Sequence, residues 1–204
     1  MVESRGTSLA CAVGLLYAWA VFAFGIRAWT KYRAKRWCID DYTYTAAFIF
    51  AIIHAILVVN CVAHGYGRRV EDISEPDLEQ VELLHYVGQF LYVLSFGLSR
   101  ISSALFVSIV AQASPLVWPA RTVALLSGIW SIAAVLCIGF NGNVGKPWIG
   151  IVTQPLFFRW LGIESIGILL EISLFILSTS LIMRLQMASS RRFYLAAAFG
   201  IRLS

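Results

Sequence analysis

Three charged residues fall inside long apolar stretches of this sequence: Arg100, Glu164 and Glu171. A charge held in hydrocarbon costs about 3 kcal/mol or more, so it is normally paired or put to use. At about 1.5 Å rise per residue, Arg100 lies roughly 25 Å into its stretch and Glu171 roughly 22 Å into its own. Equal depth predicts an Arg100–Glu171 ion pair, read first as glue between two helices. Glu164 and Glu171 are seven apart and share one helix face, with Ser178 continuing the stripe. That stripe either lines a polar cavity for a cation or polar ligand, or leaves Glu164 at headgroup level. Either carboxyl could also act as a general acid. His54 sits in the middle of another apolar stretch, and His85 with Gln89 form an i, i+4 pair. No third ligand accompanies them, so no metal site is assigned; polar residues at helix contacts are the simpler account. A retinal Schiff base needs a lysine inside the bundle. Lys31, Lys35 and Lys146 all fall in connections, so neither retinal nor any other cofactor is expected. Motifs for hydrolase or nucleotide chemistry are absent from the sequence.

The elements that position these residues follow from composition. Of 204 residues, 59% are hydrophobic and 13% charged, with a mean hydropathy of +0.78. That is more apolar side chain than a soluble domain of this size buries. The formal charge of +5 is gathered in short clusters beside apolar runs. Such clusters suit the flanks of membrane helices, and nucleic-acid binding is excluded. A bilayer core of about 30 Å takes roughly 20 residues of helix. Five stretches meet this, at about 8–29, 42–64, 81–111, 119–140 and 156–183, and 193–203 reads as a partial sixth helix too short to cross. The expected fold is therefore all-α, a polytopic transmembrane bundle of five full spans and a stub, with the first run retained and not cleaved. The four cysteines, Cys11, Cys38, Cys61 and Cys137, have no metal-ligand spacing and read as buried thiols.

Residues 27–42, RAWTKYRAKRWCIDDY, crowd five basic residues between the first two spans before switching sign at Asp40 and Asp41. Arg33, Lys35 and Arg36 favour a cytoplasmic first connection, as Arg184, Arg191 and Arg192 do after the fifth span. The N-terminus is then outside or lumenal. Asp40 or Asp41 is expected to N-cap the second helix and to complement its dipole. Gly65 and Gly67 read as a turn at the exit of that helix.

Several of these residues are shared with a known family. The run Lys35, Arg36, Trp37, Cys38, Ile39, Asp40, Asp41, Tyr42 is followed by Gly65, Tyr66, Gly67, Arg68, then by Leu91, Tyr92, Val93, Leu94, Ser95 and Leu98 to Ser102. Over about 25–199 the chain resembles the fungal rhodopsin-domain family of seven-helix membrane proteins. The resemblance implies a receptor-like or accessory membrane protein, with a link to secondary-metabolite biosynthesis, and no established reaction. Where family members carry a cysteine pair before helix five, this chain reads Asn141 to Trp148 without cysteine, so no disulfide is expected there. Gly167 and Glu171 stand where the family has Asn and Asp, and Ser178 and Ser180 where it has prolines. Set against a seven-helix pattern, the sequence stops early in helix six and reads as C-terminally truncated.

Three functional classes follow. The first is a receptor-like protein in which a small apolar ligand shifts the packing of helices two, three and five, using His54, Arg100, Glu164 and Glu171. The second is a membrane-embedded cyclase or isomerase with Glu164 or Glu171 as general acid. A transporter ranks third, since no inverted repeat is visible. The expected partners are the lipid bilayer and a partner protein or second copy of the chain.

Overall fold

The structure is a computed structural model of the chain and describes residues 3–34, 37–67, 73–111, 115–140 and 157–184. These form five helices: α1 (Glu3–Ala34), α2 (Ile39–Ala63), α3 (Glu75–Val110), α4 (Val117–Gly139) and α5 (Phe157–Arg184). All five are long and apolar enough to cross a membrane, and no strand occurs among the described residues. The stretch read as a partial sixth helix lies outside them. The outer faces carry large exposed apolar side chains, such as Leu15, Phe22, Ile56, Leu126 and Leu169, and meet lipid without cost. Cys11 and Cys137 are exposed and only Cys61 is fully buried, which corrects the uniform reading of buried thiols.

Helix α3 is the spine, packing against α2, α4 and α5. It starts at Glu75, six residues before the apolar pattern begins, because Ser74 and Pro76 open the helix and acidic Glu75 and Asp77 suit its first turn. Two apolar clusters fasten it. Near one end Val93 packs with Trp130, Ala134, Ile138, Ile163 and Leu170; near the other, Ala104 and Val107 pack with Ala120, Val123, Leu174 and Leu177. Between them Gly97 lets α4 approach so closely that a Cβ there would overlap Ser131 Oγ and lie 2.9 Å from Ser131 Cβ. Small residues at such crossings are how membrane helices gain contact when lipid is as apolar as leucine. Serines of α3 bind α2 directly: Ser95 Oγ donates to Ala47 O at 2.9 Å and Ser102 Oγ to Asp40 O at 2.8 Å.

The connection from α1 to α2 is held by charge. Arg27 and Lys31, one turn apart on α1, face Asp40 and Asp41. Arg27 Nη2 is 2.9 Å from Asp40 Oδ2, and Lys31 Nζ is 2.8 Å from Asp41 Oδ2. The Arg27 guanidinium also lies 4.5 Å above the Tyr44 ring. Both aspartates are buried, Asp40 to 1% exposure. The N-cap of α2 is Cys38, not an aspartate, which corrects the capping expectation. Asp41 instead sits at N3 and accepts the Cys38 N–H at 3.1 Å, satisfying a free donor from inside the helix. Lys31 likewise belongs to the last turn of α1 and not to a connection. Arg33 is exposed, 5.7 Å from the Trp29 ring, and Trp37 and Tyr42 are exposed with rings 6.0 Å apart. Lys35, Arg36 and Arg68 lie outside the described residues.

This division of labour predicts that Asp41→Asn destabilises the protein by about 1–3 kcal/mol, because it removes the 2.8 Å partner of Lys31 and leaves the single Asp40 carboxylate to face both cations. Arg33→Gln changes stability by at most about 0.5 kcal/mol. Thermal midpoints in detergent check the contrast, and equal shifts for the two variants would refute it.

Candidate functional site

The four intramembrane residues singled out by sequence separate into two neighbouring places. Arg100 and Glu171 meet: Arg100 Nε donates to Glu171 Oε1 at 2.8 Å, the ion pair expected from their depth. The pair bridges α3 and α5, with the arginine 5% and the glutamate 24% exposed. The guanidinium is boxed in. Its carbon lies 4.4 Å from the Trp130 ring and 5.8 Å from the Phe96 ring. Gly167 of α5 backs it so closely that a Cβ would sit 3.0 Å from Arg100 Nη2. Trp130 is itself fixed by donating from Nε1 to Ile163 O at 3.0 Å. Ser178, on the same face of α5, is buried below the pair.

His54 and Glu164 instead line a cavity of about 370 Å³ between α2, α3 and α5. Its apolar lining is Leu57, Val58 and Cys61 of α2 with Leu84 and Gly88 of α3. Its polar lining is His54, His85, Gln89, Tyr92 and Glu164. Tyr92 is its centre. Its hydroxyl donates to Glu164 Oε1 at 3.0 Å, and its ring lies 5.9 Å from that of His54 and 6.0 Å from that of Trp160. His54 Nδ1 is buried without a hydrogen-bond partner. Glu164 thus lines the cavity and accepts from Tyr92, while Glu171 is the partner of Arg100.

The glycine turn closes one end of the cavity. Gly65 has φ 99°, and the N–H groups of Gly65 and Tyr66 donate to Val62 O and Cys61 O at 3.1 and 2.9 Å. This left-handed helix stop leaves no strain only because Gly65 lacks a Cβ. It folds Tyr66 back so that its ring stacks 5.6 Å from that of His85. Burial pushes the Tyr66 phenol above its ordinary value. Gly67, at φ 96°, continues the turn.

Sequence reasoning missed Tyr66, Tyr92 and Trp160 as lining residues. The signal was present in the spacing: His85, Gln89 and Tyr92 fall at i, i+4 and i+7 on α3, and His54 and Cys61 are seven apart on α2. Among the described residues no group of three or more His, Cys, Asp or Glu is placed to hold a metal ion.

Comparison with known proteins adds a family. The family described as the fungal rhodopsin domain matches residues 26–203. No curated protein and no solved structure matches the chain.

The tight backing of the ion pair has a measurable consequence. Gly167→Leu forces the Arg100 guanidinium away from Glu171 and is expected to cost about 1–3 kcal/mol, the usual range for overpacking. Gly162→Leu, on the same helix where a Cβ meets nothing within 4 Å, serves as the control and leaves stability unchanged or higher. Thermal unfolding in detergent compares them, and a Gly167→Leu midpoint matching the control would remove the case for a close-packed pair.

Proposed function

The chain belongs to the fungal rhodopsin domain family, and from that premise we propose that it is a receptor-like membrane protein whose α2–α3–α5 cavity takes a small, predominantly apolar ligand. The supporting observation is the cavity itself: about 370 Å³, lined by apolar residues of α2 and α3 together with His54, His85, Gln89, Tyr92 and Glu164. A concave site with many apolar walls and few placed polar groups is the ordinary form of a small-molecule site. Its occupant contacts three helices at once, so it favours one packing of α2, α3 and α5 over others. Among the described residues lining the cavity none is a lysine, and we take the ligand to be held without a Schiff base. The basic residues flanking α1 and α5 support a cytoplasmic first connection, which puts the Tyr66 end of the bundle outside or in the lumen. The link to secondary-metabolite biosynthesis rests on the family resemblance.

An enzyme of the cyclase or isomerase type is less well supported. It drew on two carboxyl groups sharing a face, but Glu171 is turned to Arg100 and does not line the cavity.

Gly88 supplies the test. It lines the cavity, and a Cβ there meets nothing within 4 Å. Gly88→Leu fills the space from a helix position where leucine is intrinsically better by up to about 1 kcal/mol. Titration of the purified protein in dodecylmaltoside with 4-hexylbenzyl alcohol, followed by tryptophan fluorescence, is expected to saturate for the wild type. For Gly88→Leu the affinity falls at least about ten-fold with the thermal midpoint kept or raised. Unchanged affinity would place the probe elsewhere and defeat the proposal.

A further inference from the structure

We infer that the ligand is an amphipathic amine, its ammonium group held by Glu164 between the rings of Tyr92 and Trp160 and its apolar body against Leu57, Val58 and Leu84. This rests on the cavity reading and specifies its chemistry. Among the described residues the lining contains one carboxylate, Glu164, and no lysine or arginine. Its partner is the neutral Tyr92 hydroxyl, whereas the other acids described in the membrane segments' charge clusters, Asp40, Asp41 and Glu171, each face a cation at 2.8–2.9 Å. A carboxylate at membrane depth matched only by a hydroxyl is the place where a ligand cation gains most. The surrounding rings suit the same charge. Trp160 precedes Glu164 by one turn, and its ring stands at 65° to that of Tyr92 with centroids 6.0 Å apart. Two aromatic walls at an angle beside a carboxylate form a cradle in which a cation meets π faces and an anion together. The lining adds further polar residues, Gln89 of α3 and His54 of α2. An anionic ligand would find no cation among the described lining residues. A fully apolar one would leave Glu164 with the Tyr92 hydroxyl alone.

A matched pair of probes tests this, 4-hexylbenzylamine against 4-hexylbenzyl alcohol, which differ only in the head group. In dodecylmaltoside at neutral pH the wild type is expected to bind the amine at least about ten-fold more tightly than the alcohol. Glu164→Gln, which keeps an acceptor for the Tyr92 hydroxyl, abolishes that preference and leaves alcohol binding within about two-fold. Should amine and alcohol bind equally while Gly88→Leu blocks both, the amine inference is wrong and the cavity reading survives. Should neither respond to Gly88→Leu, both fall. Competition with dioleoylphosphatidylethanolamine identifies the source of the ammonium group: displacement of the amine assigns it to a lipid headgroup, and no displacement assigns it to a free amine, either result upholding the chemistry.

Discussion

Charge buried where lipid surrounds the protein must be matched, and the whole bundle is arranged by that demand. In water an exposed ion pair contributes about 0–1 kcal/mol. Inside hydrocarbon, breaking a pair leaves a charge costing several times more, so pairing dictates which helices meet. Apolar burial cannot make this choice, because an exposed leucine is as content in lipid as in the core. Arg100 and Glu171 join α3 to α5, and Arg27 and Lys31 with Asp40 and Asp41 join α1 to α2. The α3 serines then tie α2 to the spine through backbone carbonyls. Polar contacts thus join α1, α2, α3 and α5, while α4 is held by close approach at Gly97 and by the apolar clusters around Val123 and Trp130.

The cavity is what remains where this matching stops. Toward the Tyr66 end, α5 offers Trp160 and Glu164 but α3 offers no cation, and the helices part around Gly88. The space is bounded by groups that can still make contacts. It also adjoins the ion pair: the Tyr92 ring lies 4.6 Å from that of Phe96, and Phe96 lies 5.8 Å from the Arg100 guanidinium. An occupant touching Tyr92 is therefore two side chains from the contact that joins α3 to α5. Physical continuity of this kind is what a receptor-like role requires, while coupling itself is a matter of two populated packings.

Much of this was legible in the sequence, for definite reasons. Span length alone marks five membrane helices, since hydrocarbon thickness leaves little choice. Counting rise to Arg100 and Glu171 was enough to pair them, because each has few other options at that depth. Asp40 and Asp41 were misread as caps because aspartate is a strong N-cap residue in isolation. Their role is decided by Arg27, 13 and 14 residues earlier, and by Lys31, nearer in sequence, across a turn that periodicity does not reveal. Lys31 was assigned to a connection because α1 continues beyond its apolar run to bring that ammonium to Asp41. The cavity was legible least. Tyr92 and Trp160 pass for ordinary span residues, and the turn that carries Tyr66 inward becomes a lining element only when α3 stands beside α2.

The central claim is that matched charge between α3 and α5, more than apolar contact, holds the spine in place. A double-mutant cycle of thermal midpoints in detergent, using Arg100→Met and Glu171→Leu, addresses it directly. Each single variant is predicted to lower stability by about 3 kcal/mol or more, and the double variant, which buries no unmatched charge, to recover most of that loss. Additive losses, with the double variant the least stable of all, would contradict the account.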